Sequence, residues 1–158
     1  WVGEFPDRTL LFSRVYDEIA ATPRFRNRSC RETDERVRAA AARVGISHLL
    51  DAKVSTLSGG EKALVALAAA GADDPEVLIL DEADSHLDAG TADRVQGVVR
   101  KSAAAHVLWC TQSMDTAACA DYVIFMEGGV VRYHGTPDEV FAGLDETCFY
   151  PTMWRFRR

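Results

Sequence analysis

The feature that most constrains the fold is a short, continuously apolar run, residues 77–80 (VLIL), that ends in the carboxylates of Asp81 and Glu82. Such a run predicts a buried strand of a parallel sheet, and open α/β sheets bind ligands at the carboxyl ends of their strands. Alternatively, acidic residues after a strand can simply start the next turn and have no role in binding. The run therefore predicts an α/β fold and marks residues 81 and 82 as candidates for a site.

A second constrained stretch, residues 57–61 (LSGGE), precedes the strand by one predicted helix. Ser58 supplies a hydroxyl, and Gly59 and Gly60 expose their amides where that helix begins. Amides at a helix N-terminus form a ready binding site for an anion. The pattern from Ser58 to Glu61 is also a capping box, which any helix can use. The residues alone leave both interpretations open.

In this order and spacing, with residues 85–88 (SHLD) directly behind, the two stretches resemble ATP-binding-cassette (ABC) ATPases. Residues 57–61 resemble the signature motif of that family, residues 78–82 (LILDE) its Walker B strand, and residues 85–88 its D-loop. The resemblance extends over nearly all of the chain. It implies a partial ABC ATPase domain, α/β in class, with a parallel-sheet core and an α-helical subdomain.

The resemblance also implies how the chain is organised. Residues 1–158 would be the C-terminal part of one ABC ATPase domain. The implied divisions are a helical signature subdomain over about residues 5–70, a core with Walker B, D-loop, switch loop and terminal hairpin over about 71–145, and a basic aromatic tail over 146–158. The chain contains no G-x-x-x-x-G-K-[ST] stretch, and the family carries that phosphate-binding loop upstream. We therefore expect the chain to be a piece of a longer protein.

The family assigns roles to the matching residues. Asp81 would hold Mg²⁺ through water, and Glu82 would orient and polarise the water that attacks ATP. The signature residues would close over the γ-phosphate of ATP bound to a second ABC ATPase subunit, and the D-loop aspartate would link the two sites. The implied nucleotide-binding residues are Ser58, Gly59, Gly60, Glu61 and Asp88.

Two positions depart from the family pattern. Glu4 stands where the family has the glutamine of its Q-loop, and an ionised carboxylate can bind a metal but cannot donate a hydrogen bond. Gln112 follows a second predicted parallel strand, residues 106–111, where the family has a switch histidine. A glutamine can hydrogen-bond a phosphate but cannot carry a proton or a positive charge. We interpret Glu4 as a metal ligand and Gln112 as a catalytic residue.

Residues 6–7 (PD) and 15–18 (VYDE) are similar to the Q-loop region of energy-coupling-factor importers, an ABC branch that imports vitamins or metal ions. The resemblance implies an ATP-binding and ATP-hydrolysing subunit with ATP and Mg²⁺ as cofactors. Its partners would be a transmembrane transporter subunit and a second ABC ATPase subunit, identical or not, at the cytoplasmic face of the membrane. The alternative is a degenerate, weakly hydrolysing partner that supplies the signature motif to a heterodimer, and Glu4 and Gln112 favour it.

Charge and composition bear on the other classes of function. The net charge of −6 argues against nucleic acid as a partner. Residues 81–84 spell DEAD, as in a family of helicases, but the Ser-Ala-Thr motif of those enzymes is absent from the chain. An arginine-rich run, residues 24–31, is interpreted as a solvated face interleaved with the acids of residues 32–35. Contact with lipid headgroups or a membrane partner is the alternative.

Proline, glycine and helix-capping residues predict where several further helices and strands begin or end. Residues 22–23 (TP) predict a break, and the apolar period predicts a helix over about 32–44 that ends at Gly45. Residues 122–133 predict a strand-turn-strand with a glycine pair in the turn, and residues 136–139 (TPDE) predict the start of a helix.

Overall fold

The computed structural model describes residues 1–157 and divides into two compact units, Trp1–Cys110 and a second from Thr111 onward. Each unit combines helices with strands, as the predicted α/β class requires. None of the helices in residues 1–157 is long and apolar enough to cross a membrane.

The first unit alternates helices with strands. Its helices are α1 (Pro6–Thr9), α2 (Val15–Phe25), α3 (Cys30–Val44), α4 (Gly59–Gly71) and α5 (Ala89–Arg100), with 3₁₀ turns at Ser47–Leu49 and Val54–Thr56. Its strands are β1 (Val77–Asp81) and β2 (His106–Cys110). Helices α2, α3 and α4 pack on one another.

Apolar residues at helical spacing build the core of this helical part. Val15 and Ile19 of α2, Val37 of α3, and Leu64 and Val65 of α4 are all buried. Helices α2 and α3 each pack one apolar face against α4, whose residues 63–68 are buried without interruption, so α4 is the central helix of the three. Each such burial contributes about 1.5–3 kcal/mol.

The boundaries of α2 and α3 test two sequence predictions. Helix α3 ends at Gly45 as predicted, because that glycine takes a left-handed φ of 74° and its amide donates to carbonyls of the last turn. The predicted break at residues 22–23 is wrong, since α2 continues to Phe25 with Pro23 inside it. The Pro23 ring is fully buried in the core, and this packing offsets the hydrogen bond that proline cannot donate.

Strand β1 lies between β2 and the N-terminal residues. It pairs in parallel with β2 along its whole length, ending with Asp81 opposite Cys110. On its other edge Val2 makes a parallel bridge to Leu80. Both strands therefore belong to a parallel sheet, as predicted, and the carboxyl end of β1 is flanked on both sides.

The two faces of β1 differ in burial. Leu78 and Leu80 belong to the core, whereas Val77 is 50% exposed and Ile79 is 36% exposed. Side chains alternate between the two faces of a strand, so only one face of β1 meets the helices of this unit. The prediction of a strand that is buried throughout is therefore wrong for residues 77 and 79.

The second unit is built around an antiparallel hairpin. Its elements are α6 (Met114–Ala117), β3 (Val123–Glu127), β4 (Val130–Gly135), α7 (Pro137–Ala142) and a 3₁₀ helix (Thr152–Arg157). Gly128 and Gly129 turn the hairpin with φ angles of 57° and 79°, values that favour glycine. A capping box between Thr136 and Glu139 begins α7. The predicted hairpin and helix start are both confirmed.

The predicted aromatic tail contributes to the core of the second unit. The Trp154 ring meets the buried Phe141 ring edge-on at 5.5 Å between centroids and the Tyr150 ring at 6.1 Å. Aromatic pairs of this geometry are favourable beyond their buried area. Arg158, the last residue of the predicted tail, lies outside the described residues.

Candidate functional site

The carboxyl end of β1 holds the backbone of the two predicted site acids. The amide of Asp81 donates to the carbonyl of Val2 at 2.8 Å, and the amide of Glu82 donates to the carbonyl of Cys110 at 2.9 Å. The Asp81 residue is exposed, and Glu82 is half-buried. These bonds fix both residues at the edge of the sheet where parallel strands bind ligands.

Glu82 has an unusual backbone conformation. Its φ of 50° lies in the left-handed region, which costs a residue with a side chain of the order of 1–3 kcal/mol. The amide and the hydroxyl of Ser85 both donate to the Glu82 carbonyl, at 3.1 Å and 2.9 Å. Strain of this kind clusters at functional sites. Here it falls on the residue predicted to polarise the attacking water.

Asp88 ends the D-loop stretch as the N-cap of α5. Its carboxylate accepts hydrogen bonds from the hydroxyl of Thr91 at 2.7 Å and from the amide of Thr91 at 3.1 Å. The hydrogen bond from the Thr91 hydroxyl holds the pKa of Asp88 below its usual value, and the bond from the Thr91 amide adds a smaller effect in the same direction. Asp88 therefore has a local role in starting a helix, and its contact with nucleotide stays a prediction.

The N-terminus of α4 has the geometry of a capping box. The Ser58 hydroxyl oxygen accepts from the Glu61 amide at 3.3 Å, and the Glu61 carboxylate accepts from the Ser58 amide and hydroxyl, each at 2.8 Å. The hydrogen bond from the Ser58 amide lowers the pKa of Glu61, and the bond from the Ser58 hydroxyl lowers it further by a smaller amount. The capping-box interpretation is therefore confirmed, and the anion-binding interpretation of the same residues stays a prediction.

The two glycines of the signature differ in their surroundings. A Cβ atom on Gly59 would meet no other atom within 4 Å, so this position leaves room for an approaching group. A Cβ on Gly60 would lie 3.1 Å from the Thr91 hydroxyl oxygen and 3.2 Å from its methyl group. Thr91 is also the residue that donates to Asp88. Through Thr91, which sequence reasoning missed, the structure brings the signature and the D-loop together.

Glu4 lies beside the D-loop stretch. Its Oε1 atom is 3.0 Å from Nε2 of His86. The ring of Phe5 stacks on the ring of His86, with centroids 5.1 Å apart and an angle of 27° between the planes. Sequence reasoning missed His86 as a site residue. The available signal was its position as an ionisable residue inside residues 85–88.

Gln112 lies in the second unit, two residues beyond β2, and its side chain is exposed. The next residue, Ser113, begins α6 by accepting a hydrogen bond from the Thr116 amide at 3.2 Å. The catalytic role of Gln112 stays a prediction.

Comparison with known families shows which family has this arrangement of motifs. Residues 4–85, about half of the chain, match the family described as ABC transporter. The chain belongs to this family. The resemblance to ABC ATPases that rests on the signature, Walker B and D-loop stretches is thereby confirmed.

Individual ABC relatives narrow the likeness to one branch. The energy-coupling factor transporter ATP-binding protein EcfA1 of Symbiobacterium thermophilum is 37% identical over 147 residues, which cover 91% of this chain and 51% of the relative. EcfA1 of Latilactobacillus sakei is 36% identical over 144 residues, which cover 89% and 51%. The chain spans about half the length of the curated relatives it matches.

A solved ABC structure is similar in fold as well as in sequence. The cbiO1 protein of Clostridium perfringens, described as part of the ABC transporter complex cbiONQ, matches with a TM-score of 0.80 and 31% identity. The match covers 89% of this chain and 58% of that one. The predicted partial ABC ATPase fold is confirmed.

The donor set of this ABC chain can be compared with what Mg²⁺ requires. Within residues 1–157, no three His, Cys, Asp or Glu side chains are grouped closely enough to hold a metal by themselves. Mg²⁺ is usually bound by one or two carboxylates, with waters and substrate phosphates completing its shell. The exposed Asp81 at the end of β1 fits such a site, and a Glu4 oxygen already faces His86. Both metal assignments stay predictions.

The ABC helical part also contains a charge cluster that sequence reasoning missed. The carboxylate of Asp73, just beyond α4, is 1% exposed and pairs with Arg26 (3.2 Å), Arg28 (3.1 Å) and Arg36 (3.1 Å). Burial alone would raise the pKa of Asp73, but the hydrogen bond from Arg28 and the charges of the three guanidinium groups outweigh burial and lower it. The side chains of Arg26 and Arg28 stay 56% and 37% exposed, in agreement with a solvated face, but their acidic partner is the buried Asp73 and not the acids of residues 32–35.

A second buried acid organises the loop before α2. The Glu18 carboxylate accepts hydrogen bonds from the amides of Leu11 and Phe12, at 2.8 Å and 2.7 Å. Glu18 is the last residue of the VYDE stretch that carries the likeness to energy-coupling-factor importers. Its bonds fix a loop whose Leu11 is 82% exposed.

Proposed function

We propose that the chain carries the hydrolytic and signature parts of an ATPase that drives an importer of the energy-coupling-factor type. The names of its relatives, ATP-binding proteins of such transporters, support this proposal. The single observation that carries it is the strained turn at Glu82, directly after a parallel strand and held by Cys110 and Ser85. A carboxylate pre-set at a strand end suits the activation of water.

In the proposed reaction, Glu82 accepts a hydrogen bond from the attacking water and orients it toward the γ-phosphate of ATP. Positioned acid-base groups contribute typically about 10²–10⁴-fold to a rate. Asp81 would hold Mg²⁺, which supplies positive charge against the phosphate oxygens when it is bound. The backbone bonds of both acids fix their main chain without help from the nucleotide.

The N-terminus of α4 would bind the γ-phosphate of ATP held by a second ABC ATPase subunit. The first amides of a helix lack intrahelical partners, and the dipole of this 13-residue helix favours an anion there. The open space at Gly59 lets phosphate oxygens approach these amides. Ser58 would contribute its hydroxyl, and Asp88 would join the two sites across the dimer.

The other proposed partner is a transmembrane subunit, which would hold the ATPase at the cytoplasmic face of the membrane. The exposed Leu11 and the partly exposed Phe12 form an apolar loop tip that Glu18 fixes in place. A pre-ordered apolar tip suits docking because little conformational freedom is lost on binding. The description of cbiO1 as part of a transporter complex supports such a partner.

A substitution at Glu82 tests the proposal. In the protein assembled with its partners, Glu82→Gln should lower kcat for ATP by about 10²–10⁴-fold while ATP binding persists, because the amide cannot take the proton of water. Glu76→Gln is the matched control, since Glu76 is an exposed residue just before the opposite end of β1. Equal turnover in both variants would refute the proposed role of Glu82.

A second candidate function is a degenerate subunit that binds nucleotide and supplies its signature but hydrolyses little at its own site. The observation that favours it is the amide side chain of Gln112 just beyond β2. If Gln112→His raises hydrolysis at that site strongly, the site is degenerate. If Gln112→Ala leaves turnover unchanged, Gln112 has no catalytic part.

A further inference from the structure

His86 contacts two consecutive residues at the position of the Q-loop. Its Nε2 atom lies 3.0 Å from Oε1 of Glu4, and its ring stacks on Phe5. The imidazole is therefore held both at its edge and on its face. Two contacts of different kinds define the orientation of a side chain better than one, although the His86 side chain remains 59% exposed.

The direction of the hydrogen bond follows from the chemistry of the two groups. An ionised carboxylate can only accept, so the Nε2 atom of His86 must carry the hydrogen that it donates to Glu4. Glutamine at position 4 would bring a donor of its own. With glutamate there, the donor is supplied by a residue 82 positions further along the chain.

His86 is also tied to the hydrolytic turn through its own neighbours. Ser85 donates to the carbonyl of Glu82, and Asp88 caps α5 two residues after His86. The segment from Ser85 to Asp88 is thus anchored at both ends, with His86 between the anchors. A shift of this segment has to move the partner of Glu4.

We propose that His86 is a positioning residue that fixes the Glu4 carboxylate and couples it to the D-loop segment. This inference rests on the proposed function and on the interpretation of Glu4 as a metal ligand. Partners that orient a metal ligand typically change metal affinity or activity by about 10–100-fold when they are removed. The exposure of this pair places the expected effect near the lower end, at about tenfold.

Two replacements of His86 separate positioning from packing. His86→Gln keeps an amide nitrogen close to where Nε2 lies, so it can still donate to Glu4. His86→Asn is one methylene shorter and places its amide near the Nδ1 position, out of reach. Both variants remove the stacked ring, so the comparison isolates the hydrogen bond.

In the protein assembled with its partners, His86→Asn should lower kcat for ATP about tenfold and raise the Mg²⁺ concentration needed for half-maximal activity. His86→Gln should recover most of this loss. In a Glu4→Ala background the two variants should agree within about twofold, because no carboxylate remains to be positioned. Equal losses in the Asn and Gln variants with Glu4 present would overturn the inference.

A spectroscopic measurement on the chain itself tests the pair without any hydrolysis. The ring-nitrogen resonances of His86 should report a hydrogen on Nε2, and Glu4→Ala should shift them. The other three histidines, His48, His106 and His134, serve as internal controls. Unchanged His86 resonances in Glu4→Ala would refute the contact. Absence of hydrolysis in the assembled wild-type protein would instead refute the proposed function and the positioning role with it.

Discussion

Helices α3 and α4 begin with the same device, and only one of them is a candidate for ligand binding. In α3, the Ser29–Glu32 capping box has distances of 3.2, 2.9 and 2.7 Å. In α4, the corresponding distances of the Ser58–Glu61 box are 3.3, 2.8 and 2.8 Å. The cap itself therefore cannot distinguish a signature motif from an ordinary helix start.

The difference lies in the two residues inside each box. After Ser29 come Cys30 and Arg31, which both carry side chains. After Ser58 come two glycines, one open to space and one against Thr91. A glycine inside a helix destabilises it by roughly 0.5–1 kcal/mol relative to alanine, so helix stability does not explain the two glycines of α4. Access to the amides is the physical property that the pair adds.

The largest effect that would sharpen this comparison is expected from Gly59→Asp. A carboxylate at the start of a helix favours the dipole by about 0.3–1 kcal/mol, so the free energy of unfolding should not fall. ATP hydrolysis by the assembled protein should nevertheless fall about 100-fold, because the added charge repels phosphate. Urea unfolding and steady-state hydrolysis measure the two effects.

Cys30→Asp is the matched control for that substitution, at the same position of α3. It should change stability in the same direction and leave hydrolysis as it is. If Cys30→Asp lowered hydrolysis as much as Gly59→Asp does, the N-terminus of α4 would have no special role in hydrolysis compared with that of α3.

A smaller effect is expected from removing each cap hydroxyl. Ser29→Ala and Ser58→Ala should each lower the free energy of unfolding by about 1 kcal/mol, since each leaves a first-turn amide without its acceptor. Only Ser58→Ala should also lower ATP hydrolysis, by about tenfold, the loss expected for one hydrogen bond to a charged group. Equal hydrolysis in the two variants would leave Ser58 with a structural role alone.

The smallest effect concerns pH. The pKa values of Glu32 and Glu61 are both lowered from 4.5 by bonds from their own cap serines. A lowered folded-state pKa stabilises the fold above pH 4.5, and this stability is lost as the pH falls through the folded-state pKa. Glu32→Gln and Glu61→Gln should therefore each weaken the acid dependence of urea unfolding. A change confined to one variant would break the equivalence of the caps.

Local signals made much of the fold predictable. The apolar run of β1, the left-handed Gly45 and the glycine pair of the hairpin each dictate their structure through neighbouring residues. The inclusion of Pro23 in α2 was not predictable in this way, because burial of its ring, a tertiary effect, outweighs the local preference for a break.

The candidate site was predictable in its motif residues and not in their partners. Glu82 was identified from its place after β1, but glutamate has no preference for a positive φ, so its strain could not be foreseen. His86 meets Glu4 across 82 residues, and Arg28 meets Asp73 across 45. Contacts between residues so far apart in sequence depend on the packing of whole elements.

The pairing of Asp73 with three arginines has a mechanical consequence. These bonds tie the far end of α4 to the end of α2 and to α3, at the opposite end from Ser58. At 1.5 Å per residue, the 13 residues of α4 form a rod of about 20 Å. The cluster joins the end of α4 to the end of α2 and to the middle of α3, so a rotation of α4 about this point would carry the other two helices with it. A rotation of about 5° about that end swings Ser58 by roughly 2 Å, enough to make or break a hydrogen bond.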